Sequence, residues 1–133
     1  MKNKQKHLEF IQTAINRMAS NLFFLRGWTI TLVAVLLALF VKDNSLEQAM
    51  LIIVLILIFW VMDGYFLSQE RLFRDLYNKV RNLKEKDINF SMNTNPFKKF
   101  KKNSLIYSMF SSTLIIFYLP LIIITLITAL ILY

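Results

Sequence analysis

Two charged residues that stand inside apolar sequence, Arg26 and Asp63, carry the clearest chemical signal of the chain. Arg26 lies fifteen residues before Val41 and Asp63 lies fourteen after Ala49, on either side of one short polar turn. At a helical rise of 1.5 Å per residue, both lie about 21 to 23 Å from that turn. An unpaired charge in hydrocarbon costs about 3 kcal/mol or more. The spacing therefore predicts an Arg26–Asp63 ion pair. The alternative is that Arg26 extends to the lipid headgroups.

Residues suited to catalysis are few. His7 is the only histidine, and the chain has no cysteine. No Ser-His-Asp, HExxH, Walker or GxGxxG pattern occurs, and no histidine follows an arginine at the spacing of HEPN-type ribonucleases. Glu85 and Asp87 are interpreted as solvated charges at a helix end. We therefore predict a protein that is not an enzyme and that uses no cofactor and no metal. A membrane-bound enzyme remains a weaker alternative.

Long apolar runs must position the two charges. The chain has 133 residues, of which 56% are hydrophobic, and its mean hydropathy is +0.51. These values are typical of membrane proteins. We predict a single all-α membrane domain over 1–133 with three transmembrane helices, the third kinked at Pro120. The predicted spans are Leu22 to Val41, Ala49 to Leu67 and Leu105 to Tyr133.

Two amphipathic segments extend the first two spans. Residues 8–21 repeat apolar side chains every three or four positions, which predicts an N-terminal helix that is either a simple lead-in or a packing element. The second span should continue as a cytoplasmic helix to about residue 86, followed by a basic linker over 87–104. Charge pairs are expected four residues apart on that helix. They are Glu70 with Arg74 and Arg71 with Asp75.

Basic residues predict the orientation. The segment from Ser68 to Ser104 holds ten Lys and Arg residues, whereas the turn from Lys42 to Gln48 holds one. By the positive-inside rule, the N-terminus and the linker are cytoplasmic and the C-terminus is outside. This distribution explains the net charge of +8 without nucleic acid. A basic cluster before the third span is expected to contact lipid headgroups. It comprises Lys98, Lys99, Lys101 and Lys102.

Aromatic residues are expected near the membrane surface. Trp28, Trp60 and Tyr65 lie at depths similar to that of the two charges. Tryptophan and tyrosine are enriched at membrane–water interfaces. We interpret all three as interfacial anchors.

Four segments of the chain look like a recurrent group of small bacterial membrane proteins. They are Lys6 to Gln12, Asn16 to Asn21, Arg26 to Thr31 and Asp63 to Tyr77. In layout, residues 6–85 resemble the SLATT family, the SMODS- and SLOG-associating two-transmembrane effectors. That resemblance implies a pore-forming or membrane-disrupting effector of phage defence in the bacterial inner membrane. It also implies a separate cytoplasmic sensor protein as a partner.

The functional hypothesis is a homo-oligomeric inner-membrane effector that perturbs the membrane and binds no nucleic acid directly. Several copies are needed because three spans rarely enclose a pore. The alternative is a non-enzymatic accessory subunit that anchors or regulates a larger complex. Besides Arg26 and Asp63, five polar positions are assigned to an oligomer interface or a lumen. They are Asn16, Arg17, Asn21, Glu70 and Arg74.

Overall fold

Helices account for nearly all of the chain in the computed structural model, which describes residues 2–43 and 45–132. No strand occurs in these two ranges. The α-helices are α1 (Lys2–Lys42), α2 (Leu46–Arg81), α3 (Leu105–Met109) and α4 (Ser112–Leu132). Single 3₁₀ turns follow α2 at Glu85–Asp87, Asn95–Phe97 and Lys101–Asn103. Asn44 of the predicted polar turn and Tyr133 of the predicted third span lie outside the described residues.

The first two helices form an antiparallel hairpin. Each continues without interruption from apolar into polar sequence, so the predicted lead-in helix and first span are one helix of 41 residues. The second span and its extension form one helix of 36 residues. Ser45 caps α2, because its hydroxyl accepts the N–H of Gln48 at 3.2 Å. We call residues 22–42 and 46–67 the apolar half of the hairpin, and residues 2–21 and 68–81 the polar half.

Three helices, α1, α2 and α4, are long and apolar enough to cross a membrane. The predicted all-helical fold with three such helices is therefore confirmed at this level. The third begins later than predicted, because α3 ends at Met109 and α4 starts at Ser112. Ser104 caps α3 by accepting the N–H of Tyr107 at 3.2 Å. Pro120 lies inside α4, and the interruption falls ahead of it at residues 110–111.

Two separate clusters of buried apolar side chains hold the hairpin together. The one in the apolar half also includes side chains from α4. Its buried members are Val33, Phe40, Ala49, Ile52, Ile56, Trp60, Leu114 and Tyr118. In the polar half, Ile11 and Ile15 of α1 pack against Leu76 and Val80 of α2. The N-terminal part of α1 is thus a packing element that contacts its own chain, rather than a simple lead-in.

The short helix α3 approaches α2 closely at Gly64. A Cβ atom at Gly64 would collide with Cγ of Met109, so only glycine leaves room for that side chain in its present position. Trp60, one turn away, donates its indole N–H to the carbonyl oxygen of Met109 at 2.7 Å. These contacts attach α3, and with it the start of α4, to the end of the apolar half.

Candidate functional site

The two charged side chains of the apolar sequence meet in the structure. Arg26 Nε lies 2.9 Å from Asp63 Oδ2, and Arg26 Nη2 lies 3.1 Å from Oδ1. This is the bidentate arrangement in which a guanidinium donates two parallel hydrogen bonds to a carboxylate. Equal distances from a short turn place the two residues at one level, because both helices rise by the same amount per residue.

Tyr118 of α4 completes the site. Its hydroxyl donates to Asp63 Oδ2 at 2.8 Å, and the Phe59 carbonyl oxygen lies 3.3 Å from the same hydroxyl. The Asp63 side chain is fully buried, whereas 28% of the Arg26 side chain is exposed. The Asp63 carboxylate, which belongs to α2, therefore accepts hydrogen bonds from both α1 and α4. We call Arg26, Asp63 and Tyr118 the polar clamp.

Sequence reasoning missed Tyr118. A hydroxyl in the middle of a 21-residue apolar helix was the available signal. A buried tyrosine hydroxyl usually finds a hydrogen-bond partner, but nothing in the sequence indicates which helix supplies it. The spacing argument worked for Arg26 and Asp63 because a short turn joins their helices. No such constraint links α2 to α4, which are separated by the long segment over 82–104.

Trp60 belongs to the packing around the clamp rather than to an interfacial belt. Its ring is buried and stacks on Tyr118, with centroids 5.8 Å apart and planes inclined by 3°. The prediction of an interfacial anchor is wrong for Trp60, because α3 and α4 cover the ring. Trp28 and Tyr65, with 62% and 52% of their surface exposed, are not covered by the described part of the chain.

The charge pairs predicted along the polar half form only in part. Arg74 donates to Glu70 Oε1 at 2.6 Å, as expected for residues four apart. The predicted Arg71–Asp75 pair is wrong: Asp75 binds Lys102 Nζ at 3.0 Å and Asn103 Nδ2 at 2.7 Å. Arg71 instead donates to the carbonyl oxygen of Lys102 at 2.8 Å. Arg71 and Asp75 therefore both bind the segment that precedes α3, instead of each other.

The five positions assigned to an oligomer interface or a lumen divide into two groups. Asn16, Arg17, Asn21 and Arg74 are exposed, so their side chains are accessible to another molecule. Glu70 is buried, with 9% of its surface exposed, and it lines a groove on α1 that also includes Arg26. Its carboxylate accepts two hydrogen bonds from Arg74, the exposed residue one turn further along α2.

The four lysines assigned to headgroup contact are all exposed on the segment that precedes α3. Lys102 pairs with Asp75, and Lys99 lies over the ring of Phe100 at 5.5 Å from its centroid. Lys98 and Lys101 make no ion pair with the described residues. The cluster therefore keeps most of its charge available.

Chemically, the polar clamp is suited to holding helices together. Its groups are a guanidinium, a carboxylate and a phenol that satisfy one another. Within residues 2–43 and 45–132, no group of three or more His, Asp or Glu side chains is arranged to hold a metal ion. Comparison with protein-family models, curated proteins and solved structures found no match to the chain.

Proposed function

We propose that the protein is a homo-oligomeric membrane effector whose copies associate through α1 and thereby perturb or open the membrane. The single observation that carries this proposal is the face of α1 that points away from α2. Along nearly the whole helix, that face presents small or polar side chains to the exterior.

The outward face follows from the helical period. Ile11, Ile15, Leu22 and Val33 are buried and mark the side of α1 that contacts the rest of the chain. Exposed residues on the opposite side recur every three or four positions. They are Glu9, Thr13, Asn16, Ser20, Phe24, Gly27, Thr31, Ala34 and Ala38, and all of them except Phe24 are small or polar. Small residues are typical of the interfaces at which membrane helices approach each other closely.

A groove marks the centre of this face. It is lined by the small residues Gly27 and Thr31 and by the rings of Phe23, Phe24 and Trp28. Its volume is about 320 Å³. A Cβ atom at Gly27 would meet nothing within 4 Å, so the groove is empty in the single chain. The occupant that we propose is the same face of a second copy, because small and polar side chains predominate on this face and Gly27 leaves room for a close approach.

An assembly of this kind would bring polar side chains of several copies around one axis. Asn16, Arg17 and Asn21 are exposed just before the apolar half begins. Polar groups at that level are suited to an interface between copies or to the mouth of a water-filled opening. The further step, to phage defence with a cytoplasmic sensor partner in a bacterial inner membrane, rests on the resemblance to SLATT-type effectors.

Replacing Gly27 tests the proposed assembly. We expect the purified protein to give one discrete oligomer in native mass spectrometry and Gly27→Leu to give mainly monomer, since leucine fills the groove. The open space around Gly27 means that the fold of the single chain should tolerate leucine. Val54→Leu, at an exposed position of α2, is the matched control and should keep the oligomer.

The possible negative results contradict different parts of the proposal. A wild-type protein that is monomeric or disperse would favour the accessory-subunit alternative. An unchanged Gly27→Leu oligomer would exclude this face as the interface. For the effector role, cells that express the protein with its genomic neighbours should lose membrane potential under phage challenge, and an unchanged potential would contradict it.

A further inference from the structure

A cavity of about 690 Å³ lies where α2 leaves its apolar sequence and α3 gives way to α4. Arg71 and Lys101 line it, together with the hydroxyl-bearing Ser104 and Ser111 and the apolar Ile106 and Phe110. This cavity is separate from the polar clamp and plays no part in the proposed assembly through α1. Its lining combines cations, hydroxyls and apolar surface.

The cationic part is held in place and is not neutralised. Arg71 Nη1 donates to the Lys102 carbonyl oxygen at 2.8 Å and lies 3.5 Å from Ser108 Oγ. The ion pairs among the described residues join Arg26 with Asp63, Arg74 with Glu70 and Lys102 with Asp75, so neither Arg71 nor Lys101 has a carboxylate partner there. A guanidinium that is fixed in this way is preorganised for a phosphate.

A hydroxyl group adds to the polar lining. Ser111, between α3 and α4, borders the cavity, and its buried Oγ has no hydrogen-bond partner. A buried hydroxyl without a partner is energetically unfavourable, because it has lost its hydrogen bonds to water. A ligand oxygen in the cavity that reached this hydroxyl would satisfy it.

The apolar part of the cavity lining comes from α3 and from the residue that follows it. Ile106, Tyr107 and Phe110 leave 70%, 51% and 59% of their surface exposed next to the cations. The apolar sequence of α2 ends at Leu67 and α4 begins at Ser112, so the cavity lies at the level where apolar helices meet polar chain. In a membrane this is the level of the headgroups.

From these observations we propose that the cavity binds the phosphate group of an anionic phospholipid. Arg71 and Lys101 contact the phosphate oxygens, and the acyl chains lie along Ile106 and Phe110. The site is more specific than a general attraction of surface lysines to the membrane, because Lys98, Lys99 and Lys102 do not line it. Bound lipid would join the linker to the start of α4.

Lipid binding in native mass spectrometry tests the site, with phosphatidylglycerol and phosphatidylcholine as probes. Wild-type protein should retain phosphatidylglycerol preferentially. Lys101→Gln should weaken this binding by about tenfold, which corresponds to about 1.4 kcal/mol. The Lys101 side chain makes no hydrogen bond or ion pair with the described residues, so the fold should survive the change. Lys98→Gln removes the same charge outside the cavity and should weaken binding less than twofold.

Two further arms complete the experiment. Arg71→Gln should reduce phosphatidylglycerol binding more than Lys101→Gln does, and Arg71→Lys should restore part of it. Equal losses in Lys101→Gln and Lys98→Gln would overturn the site in favour of diffuse charge, and equal retention of the two lipids would exclude selectivity for anionic lipid. Displacement of the lipid by millimolar inorganic phosphate would identify a soluble phosphate as the ligand instead.

Discussion

The two halves of the α1–α2 hairpin are built from the same pair of helices but are held together by different contacts. In the polar half, four aliphatic side chains of α1 and α2 form a small core. In the apolar half, apolar packing is accompanied by a fully buried carboxylate that receives hydrogen bonds from α1 and α4. Both halves thus contain an apolar cluster, and among the described residues only the apolar half adds an ion pair between its two helices.

The difference has a physical cause. In water, burying aliphatic surface stabilises a contact by about 25 cal/mol per Å². Between lipid-exposed helices this gain is absent, because lipid tails are as apolar as leucine, and association depends on close packing and hydrogen bonds. A helix pair that crosses from one solvent to the other therefore benefits from polar contacts, in addition to close packing, in its apolar half.

Removal of the Asp63 carboxylate should have the largest effect on this arrangement. Asp63→Ala leaves the guanidinium of Arg26 without its partner, and breaking a buried pair typically costs about 3 to 5 kcal/mol. Unfolding in detergent would measure the loss. The double variant Arg26→Ala with Asp63→Ala should recover part of the stability, since no unpaired charge then remains. A silent Asp63→Ala would show that the clamp does not stabilise the apolar half.

Shortening a side chain in the aliphatic core of the polar half should have a somewhat smaller effect on stability, and this effect should be confined to the polar half. Leu76 is 4% exposed, and Leu76→Ala should cost about 2 to 4 kcal/mol of local stability. Hydrogen exchange should accelerate over residues 5–18 and 70–81 and stay unchanged in the apolar half. Leu51→Ala makes the same change on the same helix at a 57% exposed position and should be nearly neutral. Equal effects of the two substitutions would remove the contrast between the halves.

The smallest of these effects is expected from Tyr118→Phe. This change deletes the hydroxyl that donates to Asp63 at 2.8 Å and keeps the ring that stacks on Trp60. Loss of one hydrogen bond to a charged acceptor should cost about 1.5 to 3 kcal/mol, less than loss of the carboxylate itself. Detergent unfolding of Tyr118→Phe and of the exposed control Tyr65→Phe would measure this. A loss as large as that of Asp63→Ala would mean that α4, rather than Arg26, is the main partner of Asp63.

Much of the hairpin could be predicted from the sequence because its determinants are local. Long apolar runs without strong breakers specify the helices, and a polar turn of a few residues requires the first two to be antiparallel. With both helices rising at a fixed rate, nearly equal residue counts from the turn, fifteen and fourteen, bring Arg26 and Asp63 to one level. For residues 8–21 the sequence allowed two interpretations, a lead-in to the first span or a packing element. An apolar stripe on a helix does not indicate which other helix it contacts.

What the sequence alone determined is therefore the set of apolar helices, their hairpin and the level of its two charges. Only the tertiary structure decided that Tyr118 joins them, that Trp60 is covered, that Asp75 pairs with Lys102 and that α3 ends at Met109 against Gly64. All four depend on the path of residues 82–104, which lack a helical or strand period and are held by tertiary contacts. Local spacing determines geometry along one helix and across a short turn, whereas the return of a long irregular segment depends on which distant surfaces fit it.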